Sequence, residues 1–177
     1  MKTLEDQMSV YAAYHQDGRN KATHFVGVPA IIVGILVPLA WARFEIAGLQ
    51  LTLAVMFAAI VLAYYYVLDL ALGVTMTLVI ALLLFAADAI ALQPKGIGAI
   101  WFAVLFGGGW ILQLVGHVYE GRKPALVDNL FQIFVAPIFL AAEVFFALGL
   151  KRDLHERVQR RALEMRAAAG FGAKAAA

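Results

Sequence analysis

Three histidines lie outside the charged C-terminal segment, in sequence that is otherwise mostly apolar. His15 lies at the end of a short amphipathic stretch, His24 begins a long apolar run, and His117 ends another. Gln113, His117 and Glu120 are four and three residues apart, so they share one face if that run is a helix. Imidazoles with oxygen ligands and open coordination positions suit non-haem Fe(II), and zinc is the alternative. These residue types indicate a metal site.

Other chemistries are excluded by what the chain lacks. There is no cysteine and Ser9 is the only serine, which argues strongly against a serine or cysteine hydrolase. No His-Glu-x-x-His motif is present, so zincin-type proteases are excluded. Gly107-Gly108-Gly109 lies inside an apolar run, where it favours close helix packing rather than phosphate binding. The remaining interpretation is one metal bound by about three histidines, with or without a carboxylate.

The composition indicates a membrane protein. Of 177 residues, 63% are hydrophobic and 15% are charged, whereas about a quarter of a soluble domain is charged. Apolar runs of about 20 residues, long enough to cross a bilayer as helices, recur along the chain. The expected fold class is all-α: a polytopic helical membrane protein with four to five transmembrane or re-entrant helices plus an N-terminal amphipathic helix. Its net charge of +2 gives no indication of nucleic-acid binding.

The helix boundaries follow from length and turn residues. Residues 49–92 have no polar loop, yet as one helix they would be about 66 Å long, so they must fold back, and we expect the break between Asp69 and Gly73. Asp17-Gly18 is expected to end the first helix, and Asn20 or Thr23 to cap the next. The predicted elements are an amphipathic helix over 3–17, spans over about 23–42, 49–68, 71–92 and 97–117, and an apolar segment over 129–150 interrupted by Pro137 and Glu143.

Charge bias predicts the orientation. With a cytoplasmic N-terminus and a re-entrant 129–150 segment, nearly all basic residues face the cytoplasm, and so do the three histidines, Asp69 and Glu120. The predicted organisation is a single integral-membrane domain over 1–152 and a charged, then Ala/Gly-rich cytoplasmic tail over 153–177, with no site in the tail. Multi-pass insertion into a bacterial inner membrane, or the endoplasmic reticulum in a eukaryote, places the metal site on the cytoplasmic side, in contact with membrane lipid.

Two motifs carry a resemblance to a known family. The first is Tyr11-x-x-Tyr14-His15, then Asn20, His24 and Gly27-x-Pro29. The second is Gly109-Trp110-Ile111-x-Gln113-x-x-Gly116-His117-x-x-Glu120-Gly121-x-x-Pro124-Ala125-Leu126, followed by Asp128-Asn129-Leu130. In order and spacing, over about residues 5–152, the chain resembles the Mpo1-like family, formerly a domain of unknown function.

The resemblance implies an activity and a cofactor. It implies an Fe(II)-dependent dioxygenase that shortens long-chain 2-hydroxy fatty acids by one carbon, and it matches His15, His24 and His117 to the iron site. A 2-hydroxy acid can chelate Fe(II) through its carboxylate and hydroxyl and leave a position for O₂. The substrate supplies electrons itself, so 2-oxoglutarate is not needed. A site at the membrane boundary lets the alkyl chain avoid water, which is worth about 0.8 kcal/mol per CH₂.

Further site residues are expected around the metal. Arg122 and Lys123 can attract the carboxylate, and Tyr14 or Tyr119 can donate a hydrogen bond to it or to oxygen. Whether Glu120 or Asp69 ligates the metal stays open. The expected catalytic residues are Glu120, Tyr14 and Asn20, and the expected substrate-binding residues are Arg122, Lys123, Gln113 and Tyr119.

A non-catalytic protein is the alternative from a different class. A metal-ion carrier places its ligands near the bilayer midplane on broken helices, whereas the histidines here sit at helix ends. A lipid-binding scaffold would bind no stoichiometric metal, and a haem protein, a weaker option, would be coloured. Substrate chain length and stereochemistry, one metal or two, whether 129–150 spans the membrane or is re-entrant, and assembly into a homo-oligomer are left open.

Overall fold

The computed structural model describes residues 2–121 and 131–169 and has the predicted all-α class. Seven helices and one short hairpin form within those residues. The helices are α1 (Leu4–Ala13), α2 (Gly18–Trp41), α3 (Leu53–Leu68), α4 (Leu70–Ala91), α5 (Lys95–Glu120), α6 (Gln132–Ala147) and α7 (Arg152–Ala168), and the antiparallel hairpin pairs β1 (Arg43–Ile46) with β2 (Leu49–Thr52).

Three of these helices are long and apolar enough to cross a membrane. They are α2 with 24 residues, α4 with 22 and α5 with 26. Helices α6 and α7 satisfy the same criterion only as a pair, and they meet at an angle of 119°. Large apolar side chains on α4, such as Leu82 at 70% and Phe85 at 77% exposure, face outward. Surfaces of this kind suit lipid rather than water, because soluble monomers rarely expose contiguous apolar area of that size.

The N-terminal boundaries differ from the prediction. Helix α1 begins with a capping box between Thr3 and Asp6 and ends at Ala13 instead of residue 17. Asp17 does not end α1; its side chain accepts a hydrogen bond from Arg19 N at 2.8 Å and caps α2. The predicted caps Asn20 and Thr23 therefore lie inside α2. The consequence is that His15 sits in a short connection between α1 and α2.

The chain between α2 and α4 contains an unpredicted hairpin. Ala47 and Gly48 both adopt positive φ, 51° and 78°, at the turn between β1 and β2, which is the backbone that tight hairpin turns require. The second predicted span therefore starts at Leu53 instead of residue 49. The expected break is confirmed at Asp69, which ends α3 and caps α4 by accepting from Leu72 N at 3.0 Å.

Two contacts place the ends of α5 and α6 beside the start of α2. The Glu120 carboxylate accepts a hydrogen bond from Asp17 N at 2.8 Å. The Glu143 carboxylate pairs with the Lys21 ammonium at 2.7 Å. Glu120 and Glu143 therefore lie at the same end of the bundle as the start of α2, and we call this the proximal end.

Helix α7 packs against α1. Arg157 pairs with Glu5 at 2.8 Å and Arg161 with Asp6 at 2.6 Å. Between these ion pairs, the side chains of Val158 and Ala162 are fully buried. Over 152–168 the chain thus forms a docked helix where a solvated tail was expected, and a domain boundary at residue 152 stays a prediction.

Close packing of α2 on α5 fixes the backbone around two of the histidines. Gly27 of α2 faces Gly109 of α5, and a Cβ on either glycine would come within about 3 Å of the other's carbonyl oxygen. One heptad along α5, a Cβ on Gly116 would collide with the side chains of Asn20 and Thr23. Small residues let membrane helices approach closely in this way. The close approach brings the first turns of α2 against the last turns of α5.

Candidate metal centre

The three histidines predicted as metal ligands meet at the proximal end. Each offers a ring nitrogen that lies within 4.8 Å of those of the other two, and all three side chains are buried. The ring centroids are 4.6 Å apart for His15 and His24, 4.9 Å for His15 and His117, and 5.2 Å for His24 and His117. The connection after α1, the start of α2 and the end of α5 each contribute one ring. The fold thus assembles a triad, and its metal role stays a prediction.

Backbone carbonyls orient two of the rings. His15 Nδ1 is 2.7 Å from Tyr11 O, and His24 Nδ1 is 2.9 Å from Asn20 O. A carbonyl only accepts, so each Nδ1 carries the proton and donates it. The lone pairs of both rings are then on Nε2, and these two atoms are 3.1 Å apart. A carbonyl that fixes the tautomer of a ligating imidazole is a common feature of metal sites.

The facing lone pairs fit a cation. Without one, the two Nε2 atoms repel each other, or a proton between them makes one ring a buried imidazolium. Burial, with the neighbouring His24 as a smaller cause, holds the pKa of His15 well below its ordinary value of 6.5, which disfavours that charged form. Nitrogens bound at about 2.0–2.1 Å to one metal lie about 2.9 Å apart at a right angle and about 3.3 Å apart at the tetrahedral angle. The observed 3.1 Å falls between these values.

Glu120 uses both of its oxygens in other contacts. Oε2 accepts hydrogen bonds from Gln16 N at 2.9 Å, from Asp17 N at 2.8 Å and from Asn20 Nδ2 at 3.2 Å. Oε1 accepts from Arg166 at 2.8 Å, and the side chain is only 2% exposed. The carboxylate thus connects the end of α5 to the backbone immediately after His15.

The remaining predicted residues occupy different places. Asn20 is fully buried and bonds Glu120 and Tyr14 O, while the Tyr14 side chain packs against the main core. Tyr119 is half-exposed, and the Arg19 guanidinium lies 4.7 Å from its ring centroid. Asp69 pairs with Lys151 at 2.6 Å and is not part of the cluster. Arg122 and Lys123 lie outside the described residues.

An apolar channel extends from the histidines between the helices. It is lined by α2, α3, α4, α5 and the start of α6, and nearly all of its wall is aliphatic or aromatic. Gln113, one turn before His117, contributes a buried Nε2 that has no hydrogen-bond partner. Gln132 contributes a buried Oε1 that also has none. Because Gln113 lies one turn from His117, the cavity suits an alkyl chain whose polar end lies near the rings.

Three site residues were not predicted. Tyr11 stacks on His15 with a centroid distance of 3.9 Å, and its carbonyl fixes the His15 tautomer. Gln132 had a usable signal, because a polar residue in an apolar segment at membrane depth is a functional hypothesis by default. Arg166 had none, since it is one of several basic residues on α7 and contacts Glu120, 46 residues away.

The fold and the site define a class: a helical membrane protein whose buried histidine triad opens onto an apolar channel. Within that class, residues 1–148 match the family model described as 2-hydroxy-palmitic acid dioxygenase Mpo1-like, and the chain belongs to this Mpo1-like family. It is 35% identical over 150 residues to the 2-hydroxy-palmitic acid dioxygenase MPO1 of Saccharomyces cerevisiae, with 82% of each chain covered. No solved structure matches the chain.

Proposed function

We propose that this protein is an Fe(II)-dependent dioxygenase that removes one carbon from long-chain 2-hydroxy fatty acids. Bound Fe(II) would supply a centre that chelates the 2-hydroxy acid and transfers its electrons to O₂. In the balanced reaction, a 2-hydroxy acid of n carbons and O₂ give an acid of n−1 carbons, CO₂ and water. The bond between C1 and C2 breaks, C1 leaves as CO₂, and C2 becomes the new carboxyl carbon.

The observation that carries the proposal is the pair of facing His15 and His24 Nε2 atoms. Carbonyl acceptors hold both rings in the tautomer that a metal requires, at a spacing that suits two ligands of one ion. Together with His117, these rings would hold the metal. Three histidine ligands would leave other coordination positions for the substrate and O₂. This donor set suits Fe(II), with zinc as the other candidate.

The residues around the triad bind and orient the substrate. The channel wall would exclude water from the alkyl chain and hold it between the helices. Gln113 Nε2, a buried donor without a partner, is suited to donate a hydrogen bond to the substrate carboxylate. Burying this donor without a partner costs about 1–3 kcal/mol, and a bound head group would remove that cost.

Glu120 acts as a positioning residue in this proposal. Its four hydrogen bonds tie the connection that carries His15 to the end of the helix that carries His117. Arg166 donates to Glu120 at 2.8 Å and to Ala13 O at 2.9 Å, so α7 holds the same connection from the other side. Asn20 completes this support, because its carbonyl also orients His24.

We further infer that the triad faces the cytoplasm and that α6 is re-entrant. The ends of α5 and α6 share the proximal end with the start of α2, and α7 lies there as well. This arrangement collects the basic residues of α7 on one side of the membrane, as the positive-inside bias requires. A C-terminal reporter that is active only outside the cytoplasm would contradict it.

The test is product analysis. Purified protein with Fe(II), O₂ and an even-numbered long-chain 2-hydroxy acid is expected to form the odd-numbered acid one carbon shorter, together with one CO₂ per turnover. His117→Ala is expected to lose both iron and turnover. His155→Ala, which removes a histidine of α7 outside the cluster, serves as the matched control and retains both. An iron-loaded protein that leaves the 2-hydroxy acid unchanged would refute the proposal.

A further inference from the structure

The channel follows one stripe of α2 for half the length of that helix. Its lining residues on α2 are His24, Val28, Ile31, Ile32, Ile35 and Leu36. Their spacing of three, four and one residues keeps them on the same face. The 12 positions from His24 to Leu36 correspond to about 18 Å along the helix axis. The cavity is therefore much longer than the head group of an acid.

The channel ends at a similar depth on three helices. Its deepest lining residue is Leu36 on α2, Phe57 on α3 and Ile80 on α4. Measured from the α3–α4 junction at the proximal end, Phe57 and Ile80 lie about 17 Å and 15 Å away. Beyond them, Leu36 and Phe57 pack into a second cluster of buried residues with Val37, Ala54 and Ala87. We call Leu36, Phe57 and Ile80 the channel floor.

The depth corresponds to a definite length of alkyl chain. Carbon–carbon bonds of about 1.5 Å that meet at about 111° advance an extended chain by about 1.25 Å per carbon. A depth of about 18 Å thus holds about 14 carbons. Two more carbons, the carboxyl carbon and the carbon with the hydroxyl group, would lie at the histidines.

We propose that Leu36, Phe57 and Ile80, the channel floor, are the residues that limit the length of the bound alkyl chain, at about 16 carbons for the whole acid. This inference rests on the proposed function only for the identity of the head group, because the alkyl-binding channel is a separate feature of the structure. Each added methylene strengthens binding about fourfold while it finds apolar wall to contact. Past the floor, an added methylene must displace the packed second cluster or fold back, so the increase stops.

The test is the affinity of a series of 2-hydroxy acids of increasing length. Each acid competes with a fluorescent fatty acid for the full-length, iron-loaded protein without O₂, so that no turnover occurs. After correction for the measured partition of each acid into the detergent micelles, we expect the affinity to rise about fourfold per methylene up to about 16 carbons and then to level off. Ile80→Ala removes floor atoms and moves this break about two carbons longer, and Ile80→Phe moves it shorter.

Leu82 provides the matched control on the same helix. Its side chain is 70% exposed on the outside of the bundle and does not line the channel. Leu82→Ala and Leu82→Phe are expected to leave the break where it is. All variants meet the same detergent, so partition of the acids into micelles cancels when variants are compared. If the Ile80 variants do not fold, Leu36→Val and Phe57→Leu test the same floor with smaller changes.

The outcomes separate this proposal from the proposed function. An affinity series without a break, or a break that no floor variant moves, overturns the channel floor even if the protein shortens 2-hydroxy acids. A break that shifts with the floor variants, in a protein that produces no shortened acid, supports the floor and refutes the dioxygenase.

Discussion

Replacement of Glu120 distinguishes a positioning role from a catalytic one. In Glu120→Gln, the carboxamide oxygen can still accept from Gln16 N and Asp17 N, but its NH₂ group then faces the Arg166 guanidinium. Breaking a buried ion pair by removal of one partner costs about 3–5 kcal/mol. Arg166 remains 23% exposed and keeps its bond to Ala13 O, which favours the lower end, about 3 kcal/mol.

The assay is a double-mutant cycle with Arg166→Met, which leaves Glu120 bonded to the two amides and Asn20. Denaturant unfolding in detergent and Fe(II) affinity are measured for both single variants and the double variant. We expect Glu120→Gln to weaken iron binding about 10- to 100-fold, as loss of a residue that supports a ligand does. The double variant should be more stable than Glu120→Gln, because the unpaired cation is gone. Wild-type stability and iron affinity in Glu120→Gln, with turnover abolished, would refute the positioning role.

Three further predictions concern packing, charge and the metal. Gly116→Ala inserts a methyl group against Asn20, so thermal unfolding should show a loss of about 1–3 kcal/mol in stability, and metal analysis should show a loss of iron. Gly107→Ala is the control, because a methyl group there meets nothing within 4 Å. Equal effects of the two substitutions would contradict the packing. Burial raises the pKa of Asp69, but hydrogen bonds from Lys151 and from the backbone N–H groups at the start of α4 outweigh it and hold that pKa below 3.8. The Asp69–Lys151 pair therefore stabilises the fold above about pH 3.8, and this stability is lost as the pH falls through the lowered pKa of Asp69. Asp69→Asn retains the cap and should cost about 0.5–1 kcal/mol at pH 7, a difference that should vanish in acid unfolding measurements; a difference that persists would contradict the ion pair. Chelation of iron should lower the unfolding temperature reversibly, since binding stabilises the folded state; no change would argue against a metal bound to it.

The parts of the fold that were predictable are those governed by bilayer thickness and chain length. The run over 49–92 could not be one helix, and Asp69 was the only charged residue near its centre, so the break followed. Likewise, histidines at the ends of apolar helices could be assigned to one side of the bundle. Both features depend only on local sequence and on the length of a membrane span.

The remaining features depend on contacts between distant residues. Asp17 could end one helix or begin another, and in the structure it caps α2. Glu120 was expected to be a catalytic residue, and its contact with Arg166 of α7, 46 residues away, could not be read from the sequence around it. The docking of α7 did leave a signal, because the apolar side chains Val158 and Ala162 recur one turn apart and are buried against α1.

In the proposed function, the histidine triad binds the iron that shortens the substrate. Its most direct test is the rate of product formation as a function of iron content, measured by mass spectrometry on samples from metal-free to fully loaded. We expect iron binding to saturate at one iron per chain, a rate proportional to iron occupancy, and no product from metal-free protein. Turnover that persists without iron, or iron that remains bound in His117→Ala with full activity, would contradict it.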